Sequence, residues 1–168
     1  MLGVAVSSAV PAVGALCPYV RPAVGAVSTQ SWVNPYLALE VLDLMEQGKP
    51  GPEALGLVLS RDAAKDLRQI GVVDAKGRAA AWSGASCTPW FGQIVEDHFA
   101  AQGNMLMGES TISEMAIAFR TSESLDLAER LLLALERGQA AGGDKRGKQS
   151  AALKVCARRR EMRVNLPV

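Results

Sequence analysis

Apolar residues in this chain recur with period two, then with helical period, then with period two again, twice over. The resulting order is strands, two helices, strands, two helices, strands. Residues 3–8 are short, small and β-branched and stop before Pro11, and residues 24–30 repeat the pattern with polar residues at their exit. Asn34 caps a helix with Pro35 at its first position; Leu37, Val41, Leu44 and Met45 share one face, and Gly48 stops it. Pro52 opens a shorter helix carrying Leu55, Val58 and Leu59. Residues 68–73 and 78–82 form a hairpin around Asp74-Ala75-Lys76-Gly77, where glycine suits a positive φ. Strand character resumes over 97–102 and ends at Gly103-Asn104. Helices are expected over 110–120 and from Ser124, the second with Asp126 in its first turn. That second helix stripes Ala128, Leu131, Leu132 and Leu135 on one face, and Arg137-Gly138 closes it. Strands over 149–156 and 161–166 complete the chain.

Strict strand–helix–strand alternation is absent, which disfavours a doubly wound parallel sheet. Two mainly antiparallel sheets stacked between helical layers use every element, so the expected fold is α+β, a four-layer αββα sandwich formed by one domain over 1–168. A chain of 168 residues can bury a sizeable core, and with 49% hydrophobic but only 5% aromatic residues that core is built from Ala, Val and Leu.

A formal charge of +1 argues against whole-molecule attraction to nucleic acid or membrane. Eight of the eighteen basic residues nevertheless fall after position 144: Lys145, Arg146, Lys148, Lys154, Arg158, Arg159, Arg160 and Arg163. A solvated face is the ordinary explanation, and a polyanion patch the rival one. Cys17, Cys87 and Cys156 are odd in number and contain no CxxC pair, which disfavours a disulfide framework or zinc site and fits a reducing cytosol. The apolar first twenty residues lack a basic start and are broken by Gly3, Pro11, Gly14 and Pro18, so they do not read as a secretion signal. No run approaches the ~20 apolar residues of a membrane helix. The expectation is a cytoplasmic protein that needs no cofactor and binds neither nucleic acid nor membrane.

Several constellations invite chemistry. Gly142 to Lys148 matches the first seven positions of the phosphate-loop pattern, but Gln149 stands where Ser or Thr should hold magnesium. The loop also follows a helix and precedes a strand, the reverse of what an anion site needs. His98 is the only histidine; Asp97 beside it on a strand would face the other way and could not pair with it. Cys87 lies in a loop of small residues with no identifiable base, as a buried inert thiol would. Asn104 follows a strand and a glycine, where its amide can donate to a developing oxyanion or simply tie down a turn. Asp144 and Arg146 form a local ion pair shaping the glycine loop, with Ser150 entering the last strand.

Taken in register, Gly3-Val4-Ala5-Val6-Ser7-Ser8, Gly25-Ala26-Val27-Ser28-Thr29-Gln30, Arg68-Gln69-Ile70-Gly71-Val72-Val73-Asp74, Gly84-Ala85-Ser86-Cys87, Gln102-Gly103-Asn104-Met105-Leu106 and the stretch 138–153 resemble DUF1028. That is an uncharacterised family placed in the Ntn-hydrolase superfamily. The resemblance implies the αββα sandwich and hydrolysis of an amide in a small molecule or peptide. The first residue's hydroxyl or thiol would attack, and its own α-amine, titrating near ~7.7–8.0, would take the proton. For that chemistry Asn104 is the expected oxyanion donor, and Thr29, Asn34, Asp144 and Ser150 are expected to line the pocket by their position at polar ends of strands and glycine turns.

The chain departs from the family at both ends. Met1-Leu2 leads straight into Gly3, where the family places a first strand and its nucleophile, and a thioether cannot attack a carbonyl. Asn165-Leu166-Pro167-Val168 stands where an acidic continuation is expected. Three readings stay open: a start further upstream, a relative without catalysis, or another residue such as Ser8 or Cys87 in the nucleophile's role. A sandwich lacking a strand exposes unpaired backbone. Residues 1–168 alone are therefore expected to form homo-oligomers or aggregate, and a sharp, cooperative monomeric melt would contradict this.

Overall fold

The computed structural model describes residues 1–157; the strand expected over 161–166 lies outside them. The elements are β1 (Leu2–Ser8), α1 (Val13–Leu16), β2 (Pro18–Arg21), β3 (Gly25–Ser31), α2 (Pro35–Glu46), α3 (Gly51–Arg61), β4 (Arg68–Asp74), β5 (Ala79–Ser83), β6 (Gly92–Glu96), β7 (Phe99–Gly103), α4 (Glu109–Thr121), α5 (Leu127–Ala140) and β8 (Ser150–Cys156).

Every ladder is antiparallel, and the layers stack as an αββα sandwich. The first β layer is the continuous sheet β2-β3-β4-β5, covered on its outer face by α2 and α3. Val27, Ile70 and Val72 point outward from it into a core with Leu37, Val41, Leu55 and Val58. The second layer is two hairpin-like pairs, β8-β1 and β7-β6, with α4 and α5 over them. β1 and β8 lie across β2 and β3, while β7 and β6 lie across β4 and β5. Two sheets were expected from the sequence; the second is split, because no ladder joins β1 to β7 among the described residues.

Local chemistry explains most boundaries. The Asn34 side chain accepts from the Tyr36 N–H and Pro35 opens α2, as the sequence indicates. The α5 cap is Asp126, in a reciprocal box with Glu129, rather than Ser124. α5 also runs past Gly138 to Ala140: a Cβ on Gly138 would lie 2.6 Å from Met115 Cγ, so this glycine permits close packing of α4 instead of ending the helix. The apolar stripe is rotated accordingly, with Ala134 buried and Leu132 51% exposed. Asp97 and His98 form the β6–β7 turn, with His98 at φ 74 donating its N–H to Gly77 O, so the histidine is not in a strand. The four-residue elements α1 and β2 are too short for a periodic signal.

Asp74 ties the two sides of the first sheet together. Its carboxylate accepts from the Gly51 N–H at the start of α3, from the Lys76 and Arg78 N–H groups, and from Arg78 Nε. Burial pushes this carboxyl up, but those donors outweigh burial and hold it below the ordinary range. Asp74→Ala is expected to cost about 2–4 kcal/mol in urea unfolding at pH 7, since it orphans buried N–H groups. The native carboxyl titrates below the unfolded one, so its contribution is complete above about pH 4 and fades as pH falls further. The variant should therefore lose less stability than the parent between pH 5 and pH 3.

Candidate functional site

A cavity of about 480 Å³ opens where the second β layer is split. Alternation along the strands decides what faces it: Val27 on β3 points to the helices, and Ala26, Ser28 and Gln30 point into the cavity. Gly71 of β4 completes the floor, β1 and β7 form the walls, and Ile112, Met115 and Leu131 form the roof. The middle is apolar. The end where β1, β3 and β7 finish is polar.

At that end the side chains are amides. Gln69, with no exposed surface, is the hub. Its Oε1 accepts from Gln30 Nε2 at 3.1 Å and from Asn104 Nδ2 at 2.9 Å. Its Nε2 donates to Ser83 Oγ at 2.8 Å and to the carbonyls of Gly103 at 2.9 Å and Gly92 at 3.3 Å. Ser28 Oγ in turn donates to Gln30 Oε1, and Ser83 Oγ to Gln93 Oε1. Asn104, at the cavity wall, spends one amide hydrogen on Gln69, and its second has no hydrogen-bond partner among the described residues. Gln102 Oε1 is buried without a hydrogen-bond partner.

The loop after α5 closes the same end. Asp144 bridges Leu106 across the layer, and its carboxylate accepts from Arg146 N, Nε and Nη2, the last at 2.6 Å. Burial raises the Asp144 carboxyl; the Arg146 guanidinium, the Arg146 N–H and the Ala9 N–H together bring it below its usual value. The pair is therefore ionised and mutually neutralised at neutral pH, as its local spacing suggests.

Of the residues expected at the site, Asn104 and Asp144 line the cavity. The other three do not. Thr29 is fully buried on the helix-facing side of β3, its hydroxyl without a partner. Asn34 is the α2 cap, and Ser150 Oγ accepts from Val13 N and donates to Val10 O, holding the loop that leaves β1. Ser8 lies at the cavity wall. Cys87 is 3% exposed with Sγ against the Arg68 carbonyl, an inert position. Of the basic cluster, Arg146 is paired with Asp144, Lys145 Nζ donates to Pro89 O, and Lys154 Nζ donates to Pro18 O. Arg158, Arg159, Arg160 and Arg163 lie outside the described residues. Gln69 and Gln30 were not singled out from the sequence; the available signal was a glutamine near the polar end of each of two strands, and the ladder sets them directly opposite. Among the described residues no group of three His, Cys, Asp or Glu side chains could hold a metal, and no helix is long and apolar enough to cross a membrane.

The family model DUF1028, described as a family of unknown function, matches residues 1–168. The crystal structure of protein SPO2555 from Silicibacter pomeroyi, itself described as DUF1028, superposes with a TM-score of 0.84 at 30% identity, covering 90% of this chain. This chain spans 65% of that chain, under two thirds of its length. No curated protein matches.

Gln69→Leu is expected to cost about 3 kcal/mol or more, since it strands the amides and carbonyls that meet at the hub. Gln69→Glu sets a carboxylate against the Gly92 and Gly103 carbonyls, which raises its pKa in the folded state. The stability it retains is present at low pH and lost as pH rises, so its deficit against the parent should be larger at pH 7 than at pH 4. Paired urea titrations at the two pH values check this.

Proposed function

This chain belongs to DUF1028, and on that footing we propose that the cavity is the reaction site of an amide hydrolase of the N-terminal-nucleophile type, acting on a small molecule or peptide. The observation that carries the reading is Asn104, which lines the cavity and whose amide is held by Gln69 with one hydrogen left unpaired. A donor held rigidly in a largely apolar cavity stabilises a tetrahedral oxyanion at no reorganisation cost. Asp144 and Arg146 frame the polar end, and the apolar middle would take the substrate's carbon skeleton. The free cysteines Cys17, Cys87 and Cys156 support a reducing, cytoplasmic setting.

This chain's own hydroxyls at the cavity have no histidine among the lining residues to act as their base. Ser28 Oγ is spent on Gln30 Oε1, and the only histidine stands on the β6–β7 turn, away from the cavity lining. The attacking group in this reading is a residue carrying both its hydroxyl and a free α-amine, because that amine is half-protonated near ~7.7–8.0 and serves as base. The same shortage of a base favours the rival reading, a non-catalytic scaffold or binding domain that keeps the sandwich for packing.

An acylating β-lactone probe, applied to the protein purified from its native source and read by intact mass, separates the two. A stoichiometric adduct supports hydrolysis, and Asn104→Ala should then slow acylation by about 10²–10³-fold. No adduct at any ratio leaves the scaffold reading standing.

A further inference from the structure

The polar end of the cavity has more hydrogen-bonding capacity than the fold itself uses. Gln102 and Asn104, at the exit of β7, both line the cavity. Gln102 Oε1 is buried with no partner; its amide lies over Gly71, where the glycine leaves the room that a side chain would take. Asn104 keeps one amide hydrogen unpaired. Buried polar atoms are nearly always satisfied, so an open acceptor and an open donor on one wall mark a place that receives a polar group. Asp144 and Arg146, the charged residues of the lining, are paired with each other, and the wall therefore favours an uncharged guest.

The same end has an apolar rim. β3 leaves its sheet through Ser31, held at φ 69 in the left-handed region, and the next residue, Trp32, lines the cavity with 67% of its surface exposed. Its backbone is pinned on both sides. The Trp32 N–H donates to Leu67 O, and its carbonyl accepts from Arg68 Nη1, with Arg68 held in turn by Asp62 in a largely buried pair. An indole left in water on a strained and doubly pinned backbone contributes little to the core. Val10 and Leu16, from the segment that follows β1, are the other exposed large apolar residues of the lining. Trp32 stands two residues past Gln30, about 7 Å of extended chain, and Gln30 Nε2 reaches the Gln102 carbonyl. The rim is thus about one ring's length from the open donor and acceptor.

We propose that this end of the cavity binds a small neutral carboxamide bearing a flat apolar group. The ligand's N–H donates to Gln102 Oε1, its carbonyl accepts from Asn104 Nδ2, and its ring rests on Trp32. A cavity of about 480 Å³ suits a molecule of that size. As a substrate class this rests on the hydrolase reading; as a binding site it does not.

The test uses full-length protein labelled with 15N at tryptophan, and N-benzylacetamide as the probe. The Trp32 indole signal is identified by its loss in Trp32→Phe. Trp82, whose Nε1 donates to Lys65 O beside the helix-side core, is the internal control. Affinities are read from the probe's own saturation-transfer signal, so they remain measurable in Trp32→Ala. The expected result is a saturable shift of the Trp32 signal with Trp82 unmoved. Affinity should be about tenfold or more above that of N-benzyl-N-methylacetamide, which has no N–H, and of acetamide, which has no ring. Gln102→Leu should abolish the first preference and Trp32→Ala the second. Both variants should keep the parent's urea midpoint within a small margin, since one trims an exposed side chain and the other removes an unpaired polar atom. Equal affinity for the N-methyl analogue would overturn the proposal, as would phenylacetate binding as tightly as the amide, or an equal shift at Trp82. The readout is occupancy, so a failed acylation by the β-lactone leaves this site standing, and a failure here leaves acylation standing.

Discussion

A fully buried amide, Gln69, is the centre of the hydrogen bonds that hold the two β layers in register. Gln69 accepts from Gln30 within its own sheet and from Asn104 beyond β7, and it donates to Ser83 on β5 and to the paired Gly92 and Gly103 carbonyls at the open end of the β6–β7 hairpin. In a low-dielectric interior each such bond is strong, and a missing partner is correspondingly costly. Together with the Ser83–Gln93 and Gln93–Ala81 hydrogen bonds, Gln69 fixes the distance and offset between the layers on this side. It also leaves Asn104 little rotational freedom, so the structural hub and the candidate oxyanion donor share one hydrogen-bond system.

That system ends where the second layer is split. On the β6–β7 side, glutamines and serines fill the space between the sheets; beyond Gln102, whose Oε1 has no partner, the cavity begins. The cavity is thus polar at the end bounded by Asn104 and the Asp144–Arg146 pair, and apolar between Val4, Val6 and the α4–α5 roof. Such a gradient suits an uncharged chain or substrate entering along the gap with its polar group at the amide end. Membership of DUF1028 and the 0.84 superposition agree with the layer order but leave the chemistry to the residues.

Much of this was legible in the primary structure, and the failures have physical causes. The Asn34-Pro35 start, the Asp74–Gly77 turn and the Asp144–Arg146 pair depend on neighbours a few residues apart, so local chemistry suffices to predict them. Gly138 was expected to stop a helix because glycine usually does; whether a glycine ends a helix or admits a neighbour depends on Met115, which is distant in sequence. Thr29 and Gln30 are adjacent and both polar, yet a one-residue step reverses their direction. Thr29 faces the helices and Gln30 faces the cavity, and composition alone does not reveal which.

The sequence by itself determined the αββα order, the β4–β5 hairpin and the Asn34-Pro35 start of α2. Those follow from periodicity and short-range hydrogen bonding. Only the tertiary structure decided that Gln69 is the hub, that Thr29, Asn34 and Ser150 stand away from the cavity, and that the second layer is split between β1 and β7. The physical reason is that hydrogen-bond satisfaction between layers is non-local. A buried amide's worth is set by partners up to thirty-nine positions away, as Gln30 is from Gln69, and no local pattern encodes them.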